Sequence, residues 1–427
     1  MLNVSVSLLL AALSTVALVG LLLSQISVGL AAPFFKLANG LDWLMVHSVD
    51  PFAKIGLASL RLPEYSGRSA FLYVLYYLPL VVLVIRLSRW HPLGPPVQTR
   101  NKTGSPALQP GRDARLSKQS FLALIGQAGM LALVVFHPFS SDRPDASLHV
   151  DFLDVGQGDS ALVTMPDGTT LLVDGGGRPG FFQPALGSTG HTETEPEESK
   201  TRSIGETVVS EYLWWRGLDR VDYILATHAD ADHIDGLNDV DQNFAVRSAL
   251  VARMPVADLE YSRFAQTLTL TRTPVNLIQA GDVMRFGPVE VGVLWPPAVA
   301  SANARSGNND SIVLRLQFGE RSILLTGDIE NEAENAMLRA QQNLGVDVVK
   351  VAHHGSRTSS TEQFVRATQP SLAIISVGQT SMFGHPHKEV VERWQASGAE
   401  VLTTGRSGTI SVSTDGHALK VERFVPD

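Results

Sequence analysis

The chain of 427 residues contains no cysteine. That single absence excludes disulfides, thiolate zinc sites, iron–sulfur clusters and cysteine nucleophiles. Charge is also scarce, with 18% of residues being Asp, Glu, Lys or Arg, against about 25% in soluble domains. A net charge of −8 argues against a uniformly basic nucleic-acid binder. A hydrophobic content of 44% excludes a wholly disordered chain. The length predicts two or three structural units, at about 100–200 residues each.

The averages hide two unlike parts that meet near residue 145. Residues 1–145 hold twelve Lys/Arg against six Asp/Glu, a balance of +6, which leaves −14 for 146–427. The apolar runs fall in the first part. Val4–Leu23 carries no charge and has the length of a bilayer span, about 20 residues. Phe71–Ile85 and Phe121–Phe136 are shorter runs bounded by Arg68, Arg86 and Lys118. Ile26–Leu60, broken by Pro33 and Pro51, reads as an interfacial or re-entrant helix pair. Buried helices of a soluble protein are the alternative reading of each run. Arg86–Lys118 holds seven Lys/Arg against Asp113 alone. Under the positive-inside rule it is expected to be a flexible cytoplasmic loop. Phe121–Phe136 then carries the chain out of the cytoplasm, and the acidic second part follows it.

The second part alternates strand and helix patterns. Leu148–Val155, Ala161–Met165 and Thr170–Val173 are β-rich, with a hairpin signal at Asp167-Gly168. Val221–Thr227 reads as a buried strand. Val283–Leu294, Ser311–Phe318, Arg321–Leu325, Val346–Ala352, Leu372–Val377, Val401–Leu402 and Thr409–Val412 add further strands. Helices are expected at Glu206–Arg216, Glu330–Gln342 and His387–Ala396. This is an α/β pattern, with helices on the outer faces of mixed sheets. Gly180–Ser203 reads as a polar surface loop.

The chemistry gathers at strand ends. Thr227-His-Ala-Asp-Ala-Asp-His233 follows an apolar strand. Its four donors, His228, Asp230, Asp232 and His233, suit one or two divalent cations such as Zn²⁺ or Mn²⁺. A solvated acidic loop with two incidental histidines is the bland alternative. Three other strands end in Asp174-Gly-Gly-Gly, Gly327-Asp328 and His353-His354-Gly355. Each alone could be a turn or a cap. Together they converge on one sheet edge. Adjacent histidines in extended backbone point to opposite sides, so one of His353 and His354 is expected to reach a given metal.

The order Asp174, HxDxDH at His228–His233, Gly-Asp328 and His-His-Gly at His353–Gly355 resembles the metallo-β-lactamase superfamily. Asp154-Val-Gly-Gln-Gly-Asp-Ser160, Asn308-Asn-Asp-Ser311, Ala352-His-His-Gly-Ser356 and Gly384-His-Pro386 are similar to the C-terminal domain of ComEC-type competence proteins, the channel family of DNA uptake. The likeness is close over 146–427 and weaker over 1–145. It implies an αββα sandwich (146–427) preceded by transmembrane helices and a basic linker (1–145), in an inner-membrane protein. It also implies DNA and other uptake components as partners. The family's front half has no counterpart here, so the chain is expected to be a C-terminal portion. The resemblance makes Asp232, His233, Asp328 and His354 one metal set, with Asp328 bridging, and gives His228 and Asp230 to the second metal. The wider superfamily adds a histidine to that second site. None lies between His233 and His353, which leaves Asn309, Asp310 or Ser311 as substitutes. A site so rich in oxygen favours Mn²⁺ over Zn²⁺.

A divalent cation lowers the pKa of a water from about 15.7 to about 7. Asp174 is expected to orient or deprotonate that water from behind the cluster. His385 is the candidate proton donor or phosphate ligand. His353, Ser356 and Asn309 are expected substrate contacts; Lys350, Arg357 and Arg406 are weaker candidates for phosphates, since surface residues of that type are common. Three functions of different class follow: a membrane-anchored nuclease that degrades one DNA strand, a non-catalytic DNA guide, and an envelope-tethered hydrolase of phosphocholine esters or lactones.

Overall fold

A computed structural model describes residues 2–47, 71–88, 97–100, 106–109, 118–136, 144–177, 203–253, 258–298 and 307–426. The chain forms two compact units, Met1–Leu62 and Pro63–Asp427. Compactness thus divides it at residue 62, well before the change of composition near 145.

In the first unit, helices α1 (Leu2–Ser24) and α2 (Val28–His47) form a hairpin. Its turn is closed by Ile26 N–H to Leu23 O at 3.0 Å. Small residues let the two helices approach. A Cβ on Gly20 would lie 3.2 Å from Phe34, and Ala31 and Ala38 are buried. Most of the leucines instead face outward. Pro33 sits inside α2 without ending it. The rest of the expected helix pair lies outside the described residues.

The second unit opens with helices α3 (Phe71–Leu87) and α4 (Lys118–Phe136), which pack on each other near Pro79 and Gly126. A short antiparallel pair, β1 (Val97–Arg100) with β2 (Pro106–Gln109), stands where the sequence predicted a flexible loop. Among the described residues no helix is long and apolar enough to cross a membrane.

The remainder is a sandwich of two mixed sheets. The first has eight strands in the order β17-β16-β3-β4-β5-β6-β7-β8. In chain order these are β3 (Leu148–Phe152), β4 (Ala161–Thr164), β5 (Thr170–Val173), β6 (Arg220–Leu225), β7 (Ala245–Val251), β8 (Val275–Leu277), β16 (Ile410–Thr414) and β17 (Leu419–Arg423). The second has seven strands in the order β15-β14-β13-β12-β11-β10-β9. These are β9 (Val283–Phe286), β10 (Val289–Trp295), β11 (Val313–Phe318), β12 (Arg321–Leu325), β13 (Val348–Lys350), β14 (Leu372–Ile375) and β15 (Glu400–Thr403). Strands covered on both faces read as continuous apolar runs, and their residues sort by parity. Leu171 and Val173 join the core between the sheets, while Leu172 packs under the outer helices. Ile323 and Leu325 point inward and Leu324 outward.

Helices α5 (Glu211–Trp215, continuing a π-turn from Gly205), α6 (Ala231–Asn243) and α7 (Leu259–Thr271) cover the first sheet. Helices α8 (Asn331–Arg339), α9 (Glu362–Thr368) and α10 (Lys388–Ala396) cover the second. The layers are αββα.

The sequence reading missed helices α6, α7 and α9 and strands β7, β8 and β17, and it took one hairpin for a single strand. The run Val283–Leu294 is a hairpin, β9 and β10, turned at Gly287 with φ +56°. Strand β7 was hidden because Arg247 and Ser248 interrupt its apolar pattern. Helix α7 is rich in threonine, a weak helix former. It starts because Asp258 accepts the N–H groups of Glu260 and Tyr261 at 3.0 and 3.1 Å. The expected loop at 180–203 falls, but for Ser203, outside the described residues.

Parallel pairing of β5 with β6, and of β12 with β13, brings four C-terminal strand ends to one edge, where such sheets place their ligands. Helix α6 is pressed against that edge. A Cβ on Gly236 would lie 2.0 Å from the Gly175 carbonyl oxygen. Alanine normally stabilises a helix interior over glycine by about 1 kcal/mol. Here Gly236→Ala is expected to destabilise, by about 1–3 kcal/mol of overpacking, which thermal melting of the purified chain will measure.

Candidate metal centre

Asp174 ends β5 in a left-handed conformation, φ +59°, which turns its carboxylate back under the neighbouring strand. The carboxylate accepts the Thr227 N–H, the Thr227 hydroxyl and His233 Nδ1, each at 2.8 Å. With Nδ1 so occupied, His233 presents Nε2. His354 donates Nδ1–H to the Ser376 carbonyl at 2.8 Å and likewise presents Nε2. His228 Nδ1 lies 3.1 Å from the Thr227 hydroxyl. That hydroxyl spends its proton on Asp174, so it accepts from His228.

Three imidazoles are therefore held from behind. Their Nε2 atoms are buried without a hydrogen-bond partner. They converge on carboxylates. Asp328 Oδ2 lies 3.2 Å from His233 Nε2 and 3.3 Å from His354 Nε2. Asp232 Oδ2 lies 3.5 Å from His354 Nε2, and Asp230 Oδ2 lies 3.5 Å from His228 Nε2. Ligand atoms of His228, His233 and Asp328 lie within 4.8 Å of one another, as do those of Asp232, His233 and His354. Orphaned imidazole nitrogens facing carboxylates, of which Asp328 is buried and Asp230 exposed, are the donor set a divalent cation requires.

The profile of the Metallo-beta-lactamase superfamily matches residues 153–379, which span all of these donors. The chain belongs to that superfamily. It is 31% identical to ComE operon protein 3 of Bacillus subtilis, over 69% of this chain and 37% of that protein. Recombination protein 2 of Haemophilus influenzae is 26% identical over 64% of this chain and 30% of its own length. Competence protein ComA of Neisseria gonorrhoeae is 26% identical over 69% and 37%. The chain spans about a third of the length of these curated relatives.

In this metallo-beta-lactamase domain the buried donors shift one another's pKa. Burial alone depresses the pKa of His233, yet Asp328 and Asp174 together raise it well above the usual value. Burial likewise opposes the charge on His354, but Asp328 and Asp159 raise it to about 10. Burial works against the carboxylate of Asp328 too, and His354, His233 and Lys350 hold it well below its usual range. Asp232 is lowered against burial, chiefly by the neighbouring imidazole of His354.

Above the donors opens a cleft of about 360 Å³. His353 and His385 line it with Phe383, Asp258 and Glu260. His353 and His354 are not extended. Both adopt left-handed backbone, φ +51° and +52°, and the turn itself separates them. His354 points to Asp328, while His353 points to Glu330 Oε1 at 3.2 Å and Asn308 Nδ2 at 3.4 Å. The His385 ring stacks on Phe383. Burial, followed by the charges of His354 and His353, lowers its pKa to about 4. Near neutral pH it offers a neutral imidazole.

Other candidates are placed differently. Asn309 Oδ1 accepts the N–H groups of Glu330 and Ala333 at 3.0 and 3.3 Å, capping α8. Asn308, not Asn309, faces His353. The Asp310 carboxylate is taken by Arg253 and by the Gly307 N–H. Ser311 Oγ accepts the Asp328 N–H at 3.0 Å. The three substitutes considered for a missing histidine are thus each committed to local structure. Ser356 is buried, with its hydroxyl 3.0 Å from that of Thr358, and shapes the loop. Arg357 pairs with Glu389 at the surface. Lys350 is buried and cannot meet a substrate phosphate. It pairs instead with Asp159 and Asp328. The sequence reading passed over Asp159 as a site residue. Its signal was the pair Gly156 and Gly158 ahead of it, since a Cβ on Gly158 would lie 2.2 Å from the Asp232 carbonyl oxygen.

Two predictions follow from these contacts. Asp174→Asn is expected to weaken divalent-metal binding about 10- to 100-fold, measured by calorimetric titration. Protons and metal compete for His354. Its folded pKa is raised, so its proton's contribution to stability is complete below about 6.5 and lost as pH rises through about 10. Across that window the metal-free protein is expected to melt at lower temperature while apparent metal affinity increases. Titration in buffers of different ionisation enthalpy will count the protons released.

Proposed function

We propose that this chain hydrolyses phosphodiester bonds of DNA, as the metal-dependent nuclease portion of a membrane DNA-uptake protein, acting on the strand that is not imported. The superfamily makes it a metal-dependent hydrolase. The observation that carries the reading is the convergence of three buried, unpartnered Nε2 atoms on the carboxylates of Asp328, Asp232 and Asp230 beneath an open cleft. The names of the competence relatives supply the substrate class.

In this reading Asp232, His233, Asp328 and His354 would hold one divalent cation. His228 and Asp230 would hold a second. That position is poor in nitrogen, which favours Mn²⁺. A bound cation supplies polarisation of the phosphoryl oxygen and a water of lowered pKa. The protein's own groups do the rest. Asp174 fixes the tautomer and direction of His233. His385, neutral at pH 7, hydrogen-bonds the leaving or non-bridging oxygen. His353, fixed by Glu330, borders the cleft as a second donor. The exposed apolar helices α1 to α4 anchor the chain at the inner membrane. The sandwich works beside other uptake components; the outward placement expected from the sequence requires α4 to cross the bilayer, and α4 is not long and apolar enough to do so.

One observation favours a second substrate. Asp230, Asp232, Asp258 and Glu260 line the cleft, and among its described lining residues none is Lys or Arg. A polyanion there depends wholly on the metal for neutralisation. A phosphodiester bearing a cationic head, such as a phosphocholine ester, meets the acidic rim and Phe383 directly. The test offers the purified full chain single- and double-stranded DNA, a phosphocholine diester and a lactone, each with Mn²⁺. DNA cleavage is expected, lost on chelation and abolished in Asp232→Ala. Turnover of the phosphocholine ester alone would replace the DNA reading. DNA binding without turnover would make the chain a guide. Cleavage that persists in Asp232→Ala after chelation would overturn the metal site itself.

A further inference from the structure

The donor set is divided between the two halves of the sandwich. His228, Asp230, Asp232 and His233 follow β6, in the eight-stranded sheet. Asp328 and His354 follow β12 and β13, in the seven-stranded sheet. A metal position built from both halves is only as well defined as the seam between them. Lys350, the last residue of β13, lies directly under that seam and is 4% exposed.

Its ammonium makes three contacts. Nζ donates to the carboxylate of Asp159, which belongs to the loop before β4 on the opposite sheet. It donates to the Gly327 carbonyl at 2.9 Å. It also lies 3.4 Å from Asp328 Oδ1. Asp328 is thereby divided. Oδ1 faces Lys350, and Oδ2 faces the His233 and His354 Nε2 atoms. Asp159 is fixed in turn, because its N–H donates to the Asp232 carbonyl at 3.1 Å. One ion pair therefore links the backbone that carries Asp232 to the carboxylate of Asp328. A backbone bond, Ile312 N–H to Thr227 O at 3.0 Å, crosses the same seam but touches no donor side chain.

We propose that Lys350 and Asp159 form a positioning clamp that holds the two halves of the metal site in register and leaves Asp328 Oδ2 as its metal-facing oxygen. The proposal rests on the metal-centre reading, and is independent of the substrate. A plain counter-charge would act in the opposite direction. An ammonium beside Asp328 repels an incoming divalent cation, so its removal should tighten binding. Loss of a clamp loosens it, by about 10- to 100-fold for groups that orient ligands.

The test is Mn²⁺ binding to the full chain in detergent, by calorimetry and electron paramagnetic resonance, for wild type, Lys350→Met, Asp159→Asn and the double variant. Lys350→Met is expected to bind Mn²⁺ about 10- to 100-fold more weakly, with a broadened resonance. The double variant is expected to be no worse than the weaker single one, because the pair acts as a unit. Binding by Lys350→Met at wild-type strength or tighter overturns the clamp, even if its melting temperature falls, since a merely structural role leaves the folded protein's affinity intact. Should Lys350→Met fail to fold, with two buried carboxylates uncompensated, the double variant removes one of the two charges. It must then bind more weakly than wild type, and equal affinity overturns the clamp. A wild-type chain that binds no Mn²⁺ overturns the metal-centre reading and the clamp together. One that binds Mn²⁺ without cleaving DNA leaves the clamp standing and removes only the substrate.

Discussion

The structure turns on the burial of carboxylates. Asp159, Asp174 and Asp328 are buried at the meeting edge of two sheets, where an uncompensated charge costs several kcal/mol. Nearly every local feature around them answers that cost. Thr227 gives Asp174 both its N–H and its hydroxyl, and Lys350 joins Asp159 to Asp328. What these groups do not satisfy is left to the three Nε2 atoms, and they in turn have no partner but a cation or a proton.

The same demand explains the unusual backbone. Asp174, His353 and His354 all sit at positive φ, a conformation that costs of order 1 kcal/mol or more for such residues. In each case the turn aims a side chain at the shared edge that an extended strand would send elsewhere. The glycines around α6 serve the same end by letting backbone approach backbone. Fold and site are therefore inseparable here, because the parallel strands that fill the core deliver their ends to the place where the charges must be paired.

Much of this was legible in the residues. The hairpin at Asp167-Gly168, the buried strands before Asp174, His228, Asp328 and His353, and the donors themselves follow from local pattern and side-chain chemistry. Strand β7, helix α7 and the β9–β10 turn were not legible, since polar interruptions, weak propensities and a single glycine carry little local signal. Asn309 and Ser356 resembled substrate contacts because polar residues beside a cluster look alike in one dimension. Their hydrogen bonds go instead to α8 and to the loop after His354. Lys350 resembled a surface cation. An isolated lysine in the apolar run Val348–Ala352 was the available sign that it is buried.

By itself the sequence determined the chemistry on offer. Without cysteine, the metal donors are imidazole and carboxylate, and the apolar runs set them at strand ends of mixed sheets, while the αββα sandwich came from the family resemblance. Tertiary structure alone decided which nitrogen of each histidine is free, which oxygen of Asp328 faces inward, and that Asp159 and Lys350 belong beneath the site. Those choices depend on hydrogen bonds between residues as far apart as 159 and 350, and no local pattern encodes the direction in which a side chain meets a partner from the other sheet.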